Sequence, residues 1–168
     1  FDKLHDACLS FRDRTAAIVQ RLADQGANIF DQAYKEIPGS NPKRYTTSYD
    51  NRCDADMTRV NDDLLNELPG LVYALALDSS GYAPAHNSVF SNPPTGDPTV
   101  DLAKCRHKRI FNDPVGIRCA KNQKPSLFQT YVRDTGEILS DLTMPIVIGG
   151  RHWGCVRIGF KPELVLKG

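Results

Sequence analysis

Gln129, Tyr131 and Arg133 stand two residues apart in the stretch LFQTYVRD, so in an extended chain all three point to one side. An amide, a phenol and a guanidinium on one strand face suit a small polar ligand, and a guanidinium can hold a carboxylate through two parallel hydrogen bonds. The same alternation fits an outward face wetted by solvent, and periodicity alone leaves both readings open. A second cationic group lies upstream in DLAKCRHKRIF, where Arg106 and Arg109 sit one helical turn apart and share a side. If that side covers the sheet, it reaches the same space; otherwise it is a solvated helix face. In the last strand-like run His152, Gly154, Val156 and Ile158 alternate with Trp153, Cys155, Arg157 and Gly159. That makes His152 a further polar candidate, and Trp153 either a pocket wall or a core residue.

Other chemistries find less support. Asp134-Thr135-Gly136 matches the aspartic-protease tripeptide, but Arg133 precedes it and Glu137 follows it, where that enzyme needs an apolar strand and a small residue. A hairpin turn is the better reading. His86, His107 and His152 are not at ligand spacing on one helix, so no metal site is expected, and noncovalent haem is an alternative only. The five cysteines form no Cys-x-x-Cys pair; one disulfide involving Cys53 is one reading, and buried or idle thiols are the other. No Ser-His-Asp order, phosphate loop or carboxylate pair argues for an enzyme. A net charge of +1 gives no electrostatic case for nucleic acid.

The elements that must position these groups follow from periodicity and turn signals. Leu4, Cys8, Phe11, Thr15, Ile18 and Leu22 follow steps of four and three, a heptad-like seam. With a stutter at Gly26 the stripe continues, and one helix is expected over 3–37, ended by Pro38-Gly39. Its first half is expected to project and pair with a second copy. A second helix is expected over 54–68, strands over 71–77 and 82–87, and a basic helix over 101–111. A short helix should start at Pro114, with Asp113 as its N-cap. Across 127–160 the turn residues Asp134-Thr135-Gly136-Glu137 and Gly149-Gly150 separate three antiparallel strands. The order implies an α+β fold with a PAS/Cache-like five-stranded antiparallel sheet, covering helices and a long N-terminal helix. Residues 1–38 would be a long N-terminal dimerisation helix, and residues 39–168 the sheet domain.

Several blocks recur together: Gly81-Tyr82-x-Pro84-x-His86-Asn87, Lys108-Arg109-Ile110-Phe111-Asn112-Asp113, Gln129-x-Tyr131-x-Arg133-Asp134-Thr135-Gly136-Glu137, Pro145-Ile146 and Gly150-Arg151-His152-Trp153-Gly154. In these the chain resembles the single-Cache (PAS-like) extracytoplasmic sensor domain of bacterial methyl-accepting chemotaxis proteins, over about residues 71–160. Some members of that group are c-type haem sensors with Cys-x-x-Cys-His, a motif that this chain lacks. The resemblance implies a periplasmic domain of an inner-membrane protein, with membrane helices just before Phe1 and soon after Gly168, and a homodimer through the N-terminal helix. The expected function is binding of a small, carboxylate-bearing metabolite, with Tyr73, Tyr82, His86, Arg109, Gln129, Tyr131 and Arg133 as the polar contacts. A haem-based redox or gas sensor of the same fold is the alternative.

Overall fold

The computed structural model describes residues 2–166. Helix α1 (Asp2–Asp24) buries Leu4, Cys8, Phe11, Thr15, Ile18, Val19 and Leu22 along one stripe. It ends well before residue 37. Gly26 takes φ +86, the Ala27 N–H donates to the Leu22 carbonyl, and the Gly26 N–H donates to the Ala23 carbonyl, both at 3.0 Å. This is a Schellman cap, so the spacing that reads as a stutter is the helix stop. Beyond it Ile29 is buried in the core, and the chain forms a small hairpin of β1 (Lys35–Glu36) and β2 (Tyr45–Thr46). Pro38-Gly39 therefore turns a hairpin and does not end a helix, and the helical segment expected over residues 1–38 is shorter.

Helix α2 (Asp54–Glu67) follows, burying Met57, Val60 and Leu64. The main sheet consists of β3 (Leu71–Asp78), β4 (Leu127–Val132), β5 (Ile138–Ile148) and β6 (Arg151–Phe160), all antiparallel in the order β3-β6-β5-β4. Among the described residues it has four strands, not five. The segment expected as the missing strand pairs elsewhere. Its Ala83 N–H donates to the Arg109 carbonyl at 2.9 Å, and the Lys108 N–H donates to the Ala83 carbonyl at 2.8 Å. Pro84 then offers no N–H to extend a ladder. The helix expected over 101–111 is also shortened: α3 spans Pro98–Lys104, and Lys108 adopts φ +66, which a right-handed helix excludes. Helix α4 (Pro114–Lys121) starts where expected, with the Asp113 carboxylate accepting from the Gly116 N–H. A last helix, α5, spans Glu163–Leu166.

The sheet has two unlike faces. Ala74, Ala76, Leu142, Met144, Val156, Ile158 and Phe160 pack under α1 and α2 as the main core. Tyr73, Leu75, Leu77, Leu139 and Cys155 face the other way, beneath Ala83, Phe111 and Cys119. A bulge between the pairs Ile146–Gly154 and Val147–His152 puts one extra residue into β6. That residue, Trp153, joins the helix-side core and donates its indole N–H to the Ile29 carbonyl at 2.8 Å. All five cysteines, Cys53 included, are buried free thiols. Among the described residues no helix is long and apolar enough to cross a membrane. Phe1, Lys167 and Gly168, next to the two expected membrane helices, lie outside the described residues.

The heptad-like seam is thus occupied by the chain's own sheet and by α2, and the first half of α1 does not project. A second copy could use the seam only by displacing α1 from the core. Phe11, only 3 % exposed, locates the test. Phe11→Asp is expected to lower stability by at least ~3 kcal/mol in urea unfolding, because it removes a core ring and buries a carboxylate. A variant that stays folded but changes from dimer to monomer would instead place the seam at an interface between copies.

Candidate ligand site

On the face of the sheet away from α1 and α2 lies a cavity of about 360 Å³. Tyr73 and Leu75 of β3, Tyr131 of β4, Arg133 just beyond it and Arg157 of β6 line it from the sheet. His86, Arg106 and the chain from Arg109 to Asp113 line it from above. The alternation in β4 carries into the structure: Leu127, Gln129 and Tyr131 turn inward, while Phe128, Thr130 and Val132 are exposed.

The floor is built on Arg157. Its Nε donates to Asp141 Oδ2 at 2.8 Å, and both residues are buried. Its guanidinium lies 5.1 Å from the centre of the Tyr131 ring and 5.7 Å from that of Tyr73, and the two phenol oxygens are 2.6 Å apart. Burial works against the charge on Arg157, but Tyr73, Cys119, Asp141 and Tyr131 together hold its pKa above the ordinary arginine value. A glycine makes this packing possible. Gly159 pairs with Tyr73 across the strands, and a Cβ there would stand 2.0 Å from the Tyr73 ring.

The upper wall carries a double clamp. Arg106 Nη1 reaches the Asp134 carboxylate at 3.0 and 3.2 Å, and Arg109 Nη2 reaches it at 3.0 Å. Both arginines also donate to the Leu102 carbonyl and lie against the Phe111 ring, with guanidinium carbons 5.3 and 4.9 Å from its centre. Burial raises the Asp134 carboxyl, but the two guanidinium groups more than offset this and hold it below the usual range. Burial, aided by Arg133, pushes Arg106 down to about 10, so it remains charged at neutral pH. Arg106 Nε is buried without a hydrogen-bond partner. Arg133 completes the ring of cations, with Glu137 at 3.1 Å and the Phe90 and Tyr73 rings beside it.

Five of the seven residues singled out from the sequence, Tyr73, His86, Arg109, Tyr131 and Arg133, line this one cavity. Tyr82 and Gln129 do not. Tyr82 is buried outside the lining, and its single hydroxyl proton is shared between Asp50 Oδ2 at 2.5 Å and the Tyr45 carbonyl at 2.9 Å. Gln129 is engaged by α4: its Oε1 accepts from Arg118 Nε at 2.8 Å, and its Nε2 donates to the Val115 carbonyl at 3.3 Å. Arg109 reaches the cavity from an extended segment, not from a helix. His152 is half-buried and outside the cavity lining. The sequence reading did not single out Arg157, whose strand face became known only with the β6 register. Arg106 was paired there with Arg109 on one helix side but was not among the seven expected contacts.

His86 is neutral at ordinary pH. Burial, reinforced by Arg106, Arg133 and Arg109, puts its pKa well below the usual histidine value, and its Nδ1 accepts the Asn87 N–H at 2.7 Å. Only Nε2 is left for an iron, in a cavity crowded with guanidinium groups, which is a poor fit for the apolar face of a haem. Among the described residues no cluster of three or more His, Cys, Asp or Glu side chains could hold a metal ion.

No family model and no curated protein matches the chain. Among solved structures it is similar to an extracellular ligand-binding receptor from Desulfohalobium retbaense DSM5692, with 16 % identity and a TM-score of 0.45. The likeness covers 99 % of this chain and 24 % of that one, so the chain spans about a quarter of that protein's length.

The buried histidine gives a pH dependence with a definite sign. Below the unfolded pKa of about 6.5 the unfolded chain takes up a proton that folded His86 refuses, so stability falls as pH drops, by at most about 1.4 kcal/mol per pH unit. His107, pushed down to about 4 by burial and by Arg44, acts in the same direction. Urea unfolding should show lower stability at pH 5.5 than at pH 7.5, and His86→Gln should reduce the difference. A difference that His86→Gln leaves unchanged would mean that His86 titrates normally.

Proposed function

We propose that this chain is an extracytoplasmic ligand-binding sensor domain of a chemotaxis-type transducer, and that it binds a small anionic metabolite in the cavity. One observation carries the reading: Arg106, Arg109, Arg133 and Arg157 line a single cavity of about 360 Å³, and two of them share one carboxylate. Buried cations without full compensation are costly, and an anion that pairs with them relieves that cost. The aromatic surfaces of Tyr73, Phe111 and Tyr131 supply an apolar wall for the body of the ligand, and the phenol pair supplies further hydrogen bonds.

The reading is binding and not turnover. His86 Nδ1 is committed to the backbone, and the Asp134-Thr135-Gly136 carboxylate is held by arginines at a hairpin turn. The periplasmic setting, the membrane anchor and the pairing of two copies rest on the motif resemblance. Because the α1 seam is buried, pairing through that helix would use its outer face, where Leu9 is exposed. A route for the signal is available, since β5 and β6 carry cavity residues or their partners on one face and support α1 on the other. A ligand would act through its differential affinity for two positions of that helix.

The test begins with thermal shifts against organic acids, amino acids and purines. For an acid that stabilises the protein, Arg133→Ala and Arg109→Ala should weaken binding tens-fold or more, because truncating a buried charged contact costs about 2–5 kcal/mol. Tyr82→Phe should lower stability and leave affinity unchanged. Folded arginine variants that bind as tightly as the parent would remove the cavity from the account.

A further inference from the structure

The carboxylate that fills the arginine clamp belongs to a turn, and it fills the clamp incompletely. Asp134 begins the Asp134–Glu137 connection between β4 and β5, and its side chain is 34 % exposed on the cavity rim. Arg106 gives it only Nη1, while Arg106 Nε, in a residue 5 % exposed, donates to nothing. The backbone of the turn closes independently of the clamp: the Gly136 N–H donates to the Arg133 carbonyl at 2.8 Å, and the Arg133 N–H donates to the Glu137 carbonyl at 2.7 Å. Asp134 can therefore leave by side-chain rotation into water without unravelling the hairpin.

We propose that Asp134 is a built-in competitor for the site, and that the carboxylate of a ligand takes its place between Arg106 and Arg109. This rests on the reading of the cavity as an anion site. The exchange leaves the charge balance of the clamp unchanged, since one carboxylate replaces another. Arg106 Nε–H, which Asp134 leaves without a partner, would gain one only if the Arg106 side chain turns as the carboxylates exchange. The device sets the affinity and returns the Asp134 side chain to water on binding, while the backbone of the turn stays closed. It acts at the point where β4, which bears Tyr131, joins β5, which supports α1.

Asp134→Asn is close to isosteric and removes the competing charge together with one acceptor oxygen. By calorimetric titration the variant should bind benzoate about tenfold or more tightly than the parent, the scale expected for removing a charge-assisted contact that the ligand must displace. Benzamide, which has the shape without the charge, should show no such gain. In the parent protein benzoate should move the carbon-13 signal of the Asp134 side-chain carboxylate along a saturable curve, an arm that stands even if the variant fails to fold. Equal or weaker benzoate binding by a folded variant, or an Asp134 carboxylate signal that stays unmoved at saturating benzoate, overturns the competitor role and leaves the anion site standing. Absence of binding heat with benzoate and with acetate in both proteins overturns the anion site, and the competitor role with it.

Discussion

The buried pair between Arg157 and Asp141 fixes the arrangement of this domain. It bridges the two central strands, β5 and β6, at 2.8 Å, with both residues buried. Removing one member of such a pair typically costs about 3–5 kcal/mol, because the other is left uncompensated in a low-dielectric surround. Here the pair also organises its neighbours. Tyr73 and Tyr131 flank the guanidinium and meet at their hydroxyls, and Gly159 leaves the space that the Tyr73 ring occupies. Asp141 also accepts from the Cys119 thiol at 3.5 Å, which ties α4 to the same point. The cavity floor is therefore rigid, and the polar groups on it are oriented before any ligand arrives.

A sheet of four strands cannot bury both faces equally under short covering elements. α1 and α2 close one face with aliphatic side chains. The other face receives one short helix and an irregular chain, and this leaves room for a cavity. Its cations are made tolerable by shared carboxylates: Asp134 serves two arginines, Glu137 serves Arg133, and Asp141 serves Arg157. The histidine beside them is kept neutral by burial, reinforced by the same cations. Positive charge is thereby concentrated on guanidinium groups, which hold carboxylates in fixed geometry.

The parts of this arrangement that were legible in the sequence are those set by local rules. The strand alternation that turns Gln129, Tyr131 and Arg133 to one side follows from backbone pleat alone, as does the Asp113-Pro114 helix start. Two errors came from spacing that local rules leave ambiguous. Gly26 fits a helical stripe and also caps a helix, and only the bonds from Ala27 and Gly26 decide between the two. Arg106 and Arg109 fit one turn of helix, yet Lys108 takes a left-handed conformation that spacing does not signal. The third gap was register. Arg157 belongs to the cavity face because it lies opposite Thr143 and Leu75, and the bulge at Trp153 takes His152, opposite Val147, off the face of Gly154, Val156 and Ile158. Cross-strand pairing of this kind is a property of the assembled sheet.

The most direct test of an anion site built from these arginines is the set of arginine Nε–Hε signals in a nitrogen-15 NMR spectrum during titration with benzoate. Arg106 and Arg109 are expected to shift together along one saturable curve, with smaller shifts at Arg133 and Arg157. Exposed arginines such as Arg14 and Arg59 should follow only the added salt. Shifts that never saturate, or that are as large at Arg14 and Arg59 as in the cavity, would contradict the account.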